Sequence, residues 1–260
     1  MKTLESTLRA LRDTGRTALV PYLMAGATPD WTRHVEAAVV GGADAIEIGI
    51  PFSDPMMDGV VIQEAGLRAL AAGTTFESIG RELETLDVDV PLIAMTYYNI
   101  FLHHGLERSA GRLRDFGVAG AIVPDLSLEE SEDWSAACRD TDVATIFLVA
   151  PSTPASRIER VAGASEGFIY ASARMAVTGA SNEEGEGSSV VARVRAASDL
   201  PVYVGIGVST PEQAAATARV SDGVIVGSAL VRVILDGGGA HGVETFVRRF
   251  RESMDDATQA

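Results

Sequence analysis

Eight short runs rich in β-branched and other apolar residues recur along this chain, and stretches of helical period separate most of them. The runs are Ala18–Met24, Ala45–Ile50, Pro91–Thr96, Gly120–Val123, Thr145–Val149, Gly167–Tyr170, Pro201–Val204 and Gly223–Val226. Strands that alternate with helices pair in parallel, because the helix carries the chain back to the starting edge. Eight such units predict closure into a (β/α)8 TIM barrel, an α/β fold; a doubly wound open sheet is the alternative. Leu4–Thr14 reads as an extra N-terminal helix ahead of the first strand, and Val243–Ser253 as a closing one. Ser127–Arg139 opens with Ser-Leu-Glu-Glu, a capping-box pattern, and Pro211–Ala218 follows a Thr-Pro helix entry. The richest break, Thr178–Ser189, has Gly, Ser and Glu but few apolar residues, and reads as a mobile loop. No linker-like segment divides the chain, so residues 1–260 are expected to form a single TIM-barrel domain.

Composition narrows the function. Apolar residues make up 47% of the 260, enough for a large core. The net charge of −15 argues against nucleic acid, whose phosphates call for a basic surface. It leaves room for a small phosphorylated substrate whose charge is met locally. The lone cysteine, Cys138, excludes an internal disulfide and fits a reducing compartment. Met1-Lys2-Thr3-Leu4-Glu5 lacks the layout of a signal peptide, and no apolar run reaches the roughly 18 residues of a membrane span. The expectation is a cytoplasmic protein that engages neither membrane nor nucleic acid.

In such barrels function collects where strands end and loops begin. Glu47 is a lone carboxylate inside the apolar second run, and Asp54 and Asp58 follow in a turn-rich loop. Burying an unpaired carboxylate costs several kcal/mol, so a strand that accepts one usually needs it. Runs seven and eight lead into Gly205-Ile206-Gly207 and Gly227-Ser228. Paired glycine sites of this kind let backbone N–H groups and a helix N-terminus hold a phosphate without a lysine. The only lysine is Lys2, outside every expected strand, which disfavours Schiff-base and pyridoxal-phosphate chemistry. His34, His103, His104 and His241 are scattered, with His103-His104 placed at a helix start, so no metal site is expected. No cofactor is expected. What remains is acid–base chemistry by carboxylates, with a phosphate handle.

The motifs Val20-Pro21-Tyr22, Glu47-Ile48-Gly49-Ile50-Pro51-Phe52-Ser53-Asp54-Pro55, Asp58-Gly59, Thr96-Tyr97-Tyr98-Asn99, Val123-Pro124-Asp125-Leu126, Val177-Thr178-Gly179-Ala180, Gly205-Ile206-Gly207 and Gly227-Ser228-Ala229 are spread over nearly the whole chain. In these the chain resembles the α subunit of tryptophan synthase. The resemblance implies retro-aldol cleavage of indole-3-glycerol phosphate to indole and glyceraldehyde 3-phosphate. It implies Glu47 as the acid–base residue and Asp58 as acceptor of the indole N–H. It places Tyr170 and Thr178 where they help position Asp58 and close the pocket. Gly179, Gly205, Gly207, Gly227 and Ser228 match the phosphate-binding set, and Tyr22, Tyr97 and Ile206 the indole wall. It also implies a β-subunit partner in an α2β2 assembly, with Asp54, Asn99 and Asp125 as contact residues.

Plainer readings stay open at this stage: Glu47 as a structural acid, Asp58-Gly59 as a turn, Tyr97 and Tyr170 as rim packing. Ala176, Arg174, Ser127 and the acidic run Ser181–Gly187 depart from the family pattern and bear on loop closure and subunit communication. Two rival functions remain. One is a stand-alone lyase that releases indole; the other is an inactive barrel that only activates a β subunit.

Overall fold

The computed structural model describes residues 3–172, 183–205 and 207–259. In chain order the elements are α1 (Leu4–Asp13), β1 (Ala18–Met24), α2 (Trp31–Val40), β2 (Ile46–Gly49), α3 (Val60–Ala71), α4 (Phe76–Leu83), β3 (Leu92–Met95), α5 (Tyr98–His104), α6 (Leu106–Asp115) and β4 (Val118–Ile122). They continue as α7 (Glu132–Arg139), β5 (Ala144–Ile146), β6 (Leu148–Val149), α8 (Ala155–Ala164), β7 (Ile169–Ser172), α9 (Glu183–Arg195), β8 (Val202–Gly205), α10 (Pro211–Ala218), β9 (Gly223–Val226), α11 (Ser228–Leu235) and α12 (Gly239–Gln259).

The nine strands among the described residues form one sheet, ordered β5-β4-β3-β2-β1-β9-β8-β7-β6, and every pairing is parallel. Its two edge strands, β5 and β6, are separated in sequence by Phe147 alone. β5 pairs with β4 and β6 with β7, so the expected fifth strand changes neighbour midway and closes the TIM barrel through a covalent link.

Side-chain parity explains the two layers of core. Along β1, Ala18, Val20 and Tyr22 face the barrel interior, while Leu19 and Leu23 pack against the outer helices. Along β2, Ile46 and Ile48 belong to that outer layer. Period two then sends Glu47 inward. The N-terminal mouth is plugged by α1, whose Leu4 and Leu8 pack with Ile93, Ile122, Phe168 and Tyr203. Arg9 and Arg12 tie that helix down by donating to the Asp199 carbonyl at 2.9 and 2.7 Å. With that mouth filled, only the opposite end of the barrel is left to hold a ligand.

Several expectations need correction. Ser127 makes no side-chain cap; Leu128–Glu130 forms a single 3₁₀ turn, and α7 begins at Glu132 behind Ser131. His103 and His104 end α5 instead of starting a helix, and His104 stacks on Phe76 with ring centroids 5.5 Å apart. Glu183–Ser189, read as loop, belongs to α9. The closing helix extends beyond Val243–Ser253 at both ends, since α12 spans Gly239–Gln259. The Thr-Pro entry holds: Thr210 and Gln213 form a complete capping box on α10.

Candidate active site

A cavity of about 260 Å³ opens at the C-terminal end of the barrel. Tyr22, Glu47, Asp58, Tyr170, Gly207, Gly227 and Ser228 line it, with Met57, Gly59, Ile62, Met95, Pro124, Leu148, Val208 and Ile225 completing the wall. Residues scattered over more than 200 positions therefore share one chamber, because the parallel strands of the barrel, with the loops and helix starts that follow them, all bring their C-terminal ends to this mouth.

Glu47 is 1% exposed, and its Oε2 has no hydrogen-bond partner. Burial, reinforced by the nearby Asp58 carboxylate, pushes its carboxyl up to about 8. It therefore holds its proton at neutral pH, as a general acid must. Asp58 is also raised by burial, but the hydrogen bond from the Tyr97 hydroxyl pulls the other way. The two carboxylates thus divide into a protonated one on the strand and a more readily ionised one on the loop. Environments that separate paired acids in this way assign an acid and an anion.

Tyr97 is absent from the cavity wall. It stands behind the loop, where its hydroxyl accepts the Met57 N–H at 2.9 Å and bonds Asp58. Burial pushes the phenol up to about 12, so it stays a donor. Tyr97, rather than Tyr170, is thus the described tyrosine that positions Asp58. Burial instead raises the Tyr170 phenol well above its ordinary value, and the nearby Glu47 raises it further. Gly205 is likewise off the wall: a Cβ there would lie 2.0 Å from the Tyr170 hydroxyl oxygen. Its missing side chain makes room for that ring.

At the opposite end of the chamber, Gly227 is the N-cap of α11 and supplies no side-chain cap. The first-turn N–H groups of that helix are left for a ligand, beside Ser228 and beside Gly207, whose φ of +97° suits glycine. Backbone geometry and the helix dipole make this end suited to an anion. Thr178, Gly179 and Ile206 lie outside the described residues, as do Arg174 and Ala176. Asp54, Asn99 and Asp125 are exposed around this rim, Asp54 and Asp125 on loops and Asn99 in the first turn of α5; Asp125 accepts the Tyr98 N–H at 2.9 Å.

The chain is 46% identical to the tryptophan synthase alpha chain of Halorhodospira halophila, covering 99% of this chain and 98% of that one. It is 42% identical to that of Methanosarcina mazei, covering 95% and 92%. The family model for the tryptophan synthase alpha chain matches residues 8–260. This chain belongs to the tryptophan synthase alpha chain family. Among solved structures, tryptophan synthase subunit alpha from Legionella pneumophila superposes with a TM-score of 0.90 at 31% identity, covering 98% and 99%. A Mycobacterium tuberculosis tryptophan synthase structure superposes with a TM-score of 0.88 at 36% identity, covering 96% and 97%.

The tryptophan synthase alpha chain pattern points to Glu47, Asp58, the glycines and, on the wall, Tyr22, but not to the aliphatic lining. Met95, Leu148 and Ile225 went unread as lining. Strand parity could have found them: Leu148 is the register partner of Tyr170, and Met95 lies two residues beyond Ile93, the partner of Glu47.

The raised carboxyl has a cost in stability. Native Glu47 keeps a proton that the unfolded chain releases above about pH 4.5, so stability falls as pH rises from there to about 8. Glu47→Gln removes that penalty. Its Tm is expected to exceed the parent's at pH 8, by an amount reflecting a few kcal/mol, and to match it at pH 4. Thermal melts at the two pH values check this.

Proposed function

We propose that Glu47 and Asp58 carry the alpha-chain reaction, the retro-aldol cleavage of indole-3-glycerol phosphate by this carbon–carbon lyase. The observation that carries the reading is the protonated Glu47, its Oε2 without a hydrogen-bond partner, facing the same chamber as Asp58 and the α11 N-terminus.

In this reading the substrate phosphate sits on the backbone N–H groups at Gly227, Ser228 and Gly207. Its indole lies against Met95, Leu148, Ile225 and the tyrosines. Glu47 gives its proton to indole C3, and the ring's electron pair forms the new C–H bond. Positive charge appears on the ring nitrogen, where the Asp58 anion is worth more in the transition state than before it. The carbon–carbon bond then breaks, and its electrons restore the aromatic ring. The hydroxyl on the departing carbon loses its proton to the Glu47 carboxylate and becomes the aldehyde, which resets the acid. The apolar wall keeps bulk water from the exchanged proton.

A β subunit is the proposed partner, docked on the rim that bears Asp54, Asn99 and Asp125. Met56, Met57 and Val60 are 78%, 59% and 77% exposed on the same face, an apolar patch of the kind that marks an interface. Met57 also lines the chamber, and its N–H reaches Tyr97, so a partner that orders this loop orders Asp58. Indole formation by the pure chain is therefore expected to rise at least about tenfold when a β subunit is added. Rates unchanged by a β subunit would favour the stand-alone lyase, and no indole under either condition would favour the inactive barrel.

A further inference from the structure

Tyr22 sits closer to the chemistry than a wall residue needs to. It is the register partner of Glu47 on the neighbouring strand, and both side chains face the chamber. Its ring leans diagonally across to Gly49, two residues beyond Glu47 on β2. A Cβ at Gly49 would lie 2.0 Å from the Tyr22 hydroxyl oxygen. That glycine is the reason the phenol can stand over β2, the strand that carries Glu47. Glu47 Oε2 lacks any partner, which suits a neutral carboxyl but leaves an ionised one without a donor in an apolar chamber.

We propose that the Tyr22 hydroxyl is a positioning residue of the lyase reaction, which receives the Glu47 carboxylate by hydrogen bonding once its proton has passed to the indole ring. The inference rests on Glu47 being the acid, as set out above. The step adds no reactant. Glu47 loses a proton to carbon, its carboxylate rotates onto the phenol O–H, and the phenol keeps its own proton. When the substrate hydroxyl returns a proton to Glu47, the bond to Tyr22 is released.

Other groups facing Tyr22 and Glu47 are less suited to this part. Asp58, from the loop after β2, is an anion and cannot donate when ionised. Tyr97 on the β3 side is engaged with Met57 and Asp58. β9 and α11 contribute Ile225, Gly227 and Ser228, none of them charged. Among the described residues no cation lines the chamber. Tyr170 on β7 is the one competitor. Tyr22 differs from it in lying near both carboxyl groups: burial above all, reinforced by Asp58 and Glu47, holds its phenol well above the ordinary value and keeps it a donor.

The test is Tyr22→Phe in the full chain, assayed for indole release from neutral to alkaline pH, beside Tyr170→Phe and Glu47→Gln. Removing a donor to the ionised form raises the Glu47 carboxyl, so the alkaline limb of the rate profile should move up by about one pH unit. The kcat should fall about tenfold with KM within about twofold, since the bond exists only after proton transfer. A packing role alone would change KM or Tm and leave the limb in place. An unmoved limb in Tyr22→Phe, or one moved only by Tyr170→Phe, overturns the proposal while the Glu47 assignment stands. Persistent activity in Glu47→Gln would instead remove the assignment beneath it.

Discussion

Glu47→Gln is expected to cut kcat for indole release by about a thousandfold or more, with KM within about twofold. Glutamine keeps the shape of the side chain and its place on β2, so the chamber and the phosphate end are undisturbed. What it lacks is an acidic proton near neutrality. The parent carboxyl has one only because the strand buries it and Asp58 lies near, which together push it up to about 8. Indole C3 is a weak base, and without protonation the ring is a poor electron sink for the breaking bond. The same loss removes the acceptor for the substrate hydroxyl, so both halves of the proton shuttle disappear at once. Single-turnover indole formation separates this from slow product release. A Gln variant that keeps more than about a tenth of the parent rate would show that the proton comes from elsewhere.

Gly227→Glu is expected to act on the other end of the substrate, raising KM about a hundredfold with a smaller change in kcat. A carboxylate about 4 Å from a phosphate costs on the order of 4 kcal/mol per charge pair at intermediate dielectric. The added side chain also stands in the mouth of the helix N-terminus that the anion would occupy. Gly227→Ala is the control. A Cβ at this position falls 3.7 Å from the Tyr22 Cβ, an ordinary contact, so alanine should keep KM within about threefold. An unchanged KM in the Glu variant would remove phosphate from this end of the chamber. Equal rises in both variants would make the effect steric instead of electrostatic.

Much of this is legible in the sequence alone. The repeating run-and-helix pattern led to the barrel, and an acid inside an apolar run led to Glu47. Those signals survive in one dimension because they are local: period, propensity, and a residue type out of place. Where reading failed, the deciding contact was distant in sequence. Tyr97 and Gly205 resemble pocket residues in their motifs, yet one braces Asp58 from behind and the other vacates space for Tyr170.

The amino-acid order alone thus determined the parallel α/β architecture and singled out Glu47 as a carboxylate out of place in an apolar run, since these follow from side-chain period and burial cost. Only the closed tertiary structure decided which residues meet. Register places Tyr22 beside Glu47, and the split at Phe147 closes the ring that brings Tyr170 opposite them. It also decided the proton's address. A glutamic acid is an ordinary carboxyl in any sequence, and it becomes an acid at neutral pH only when packing strips its water and sets a second carboxylate nearby.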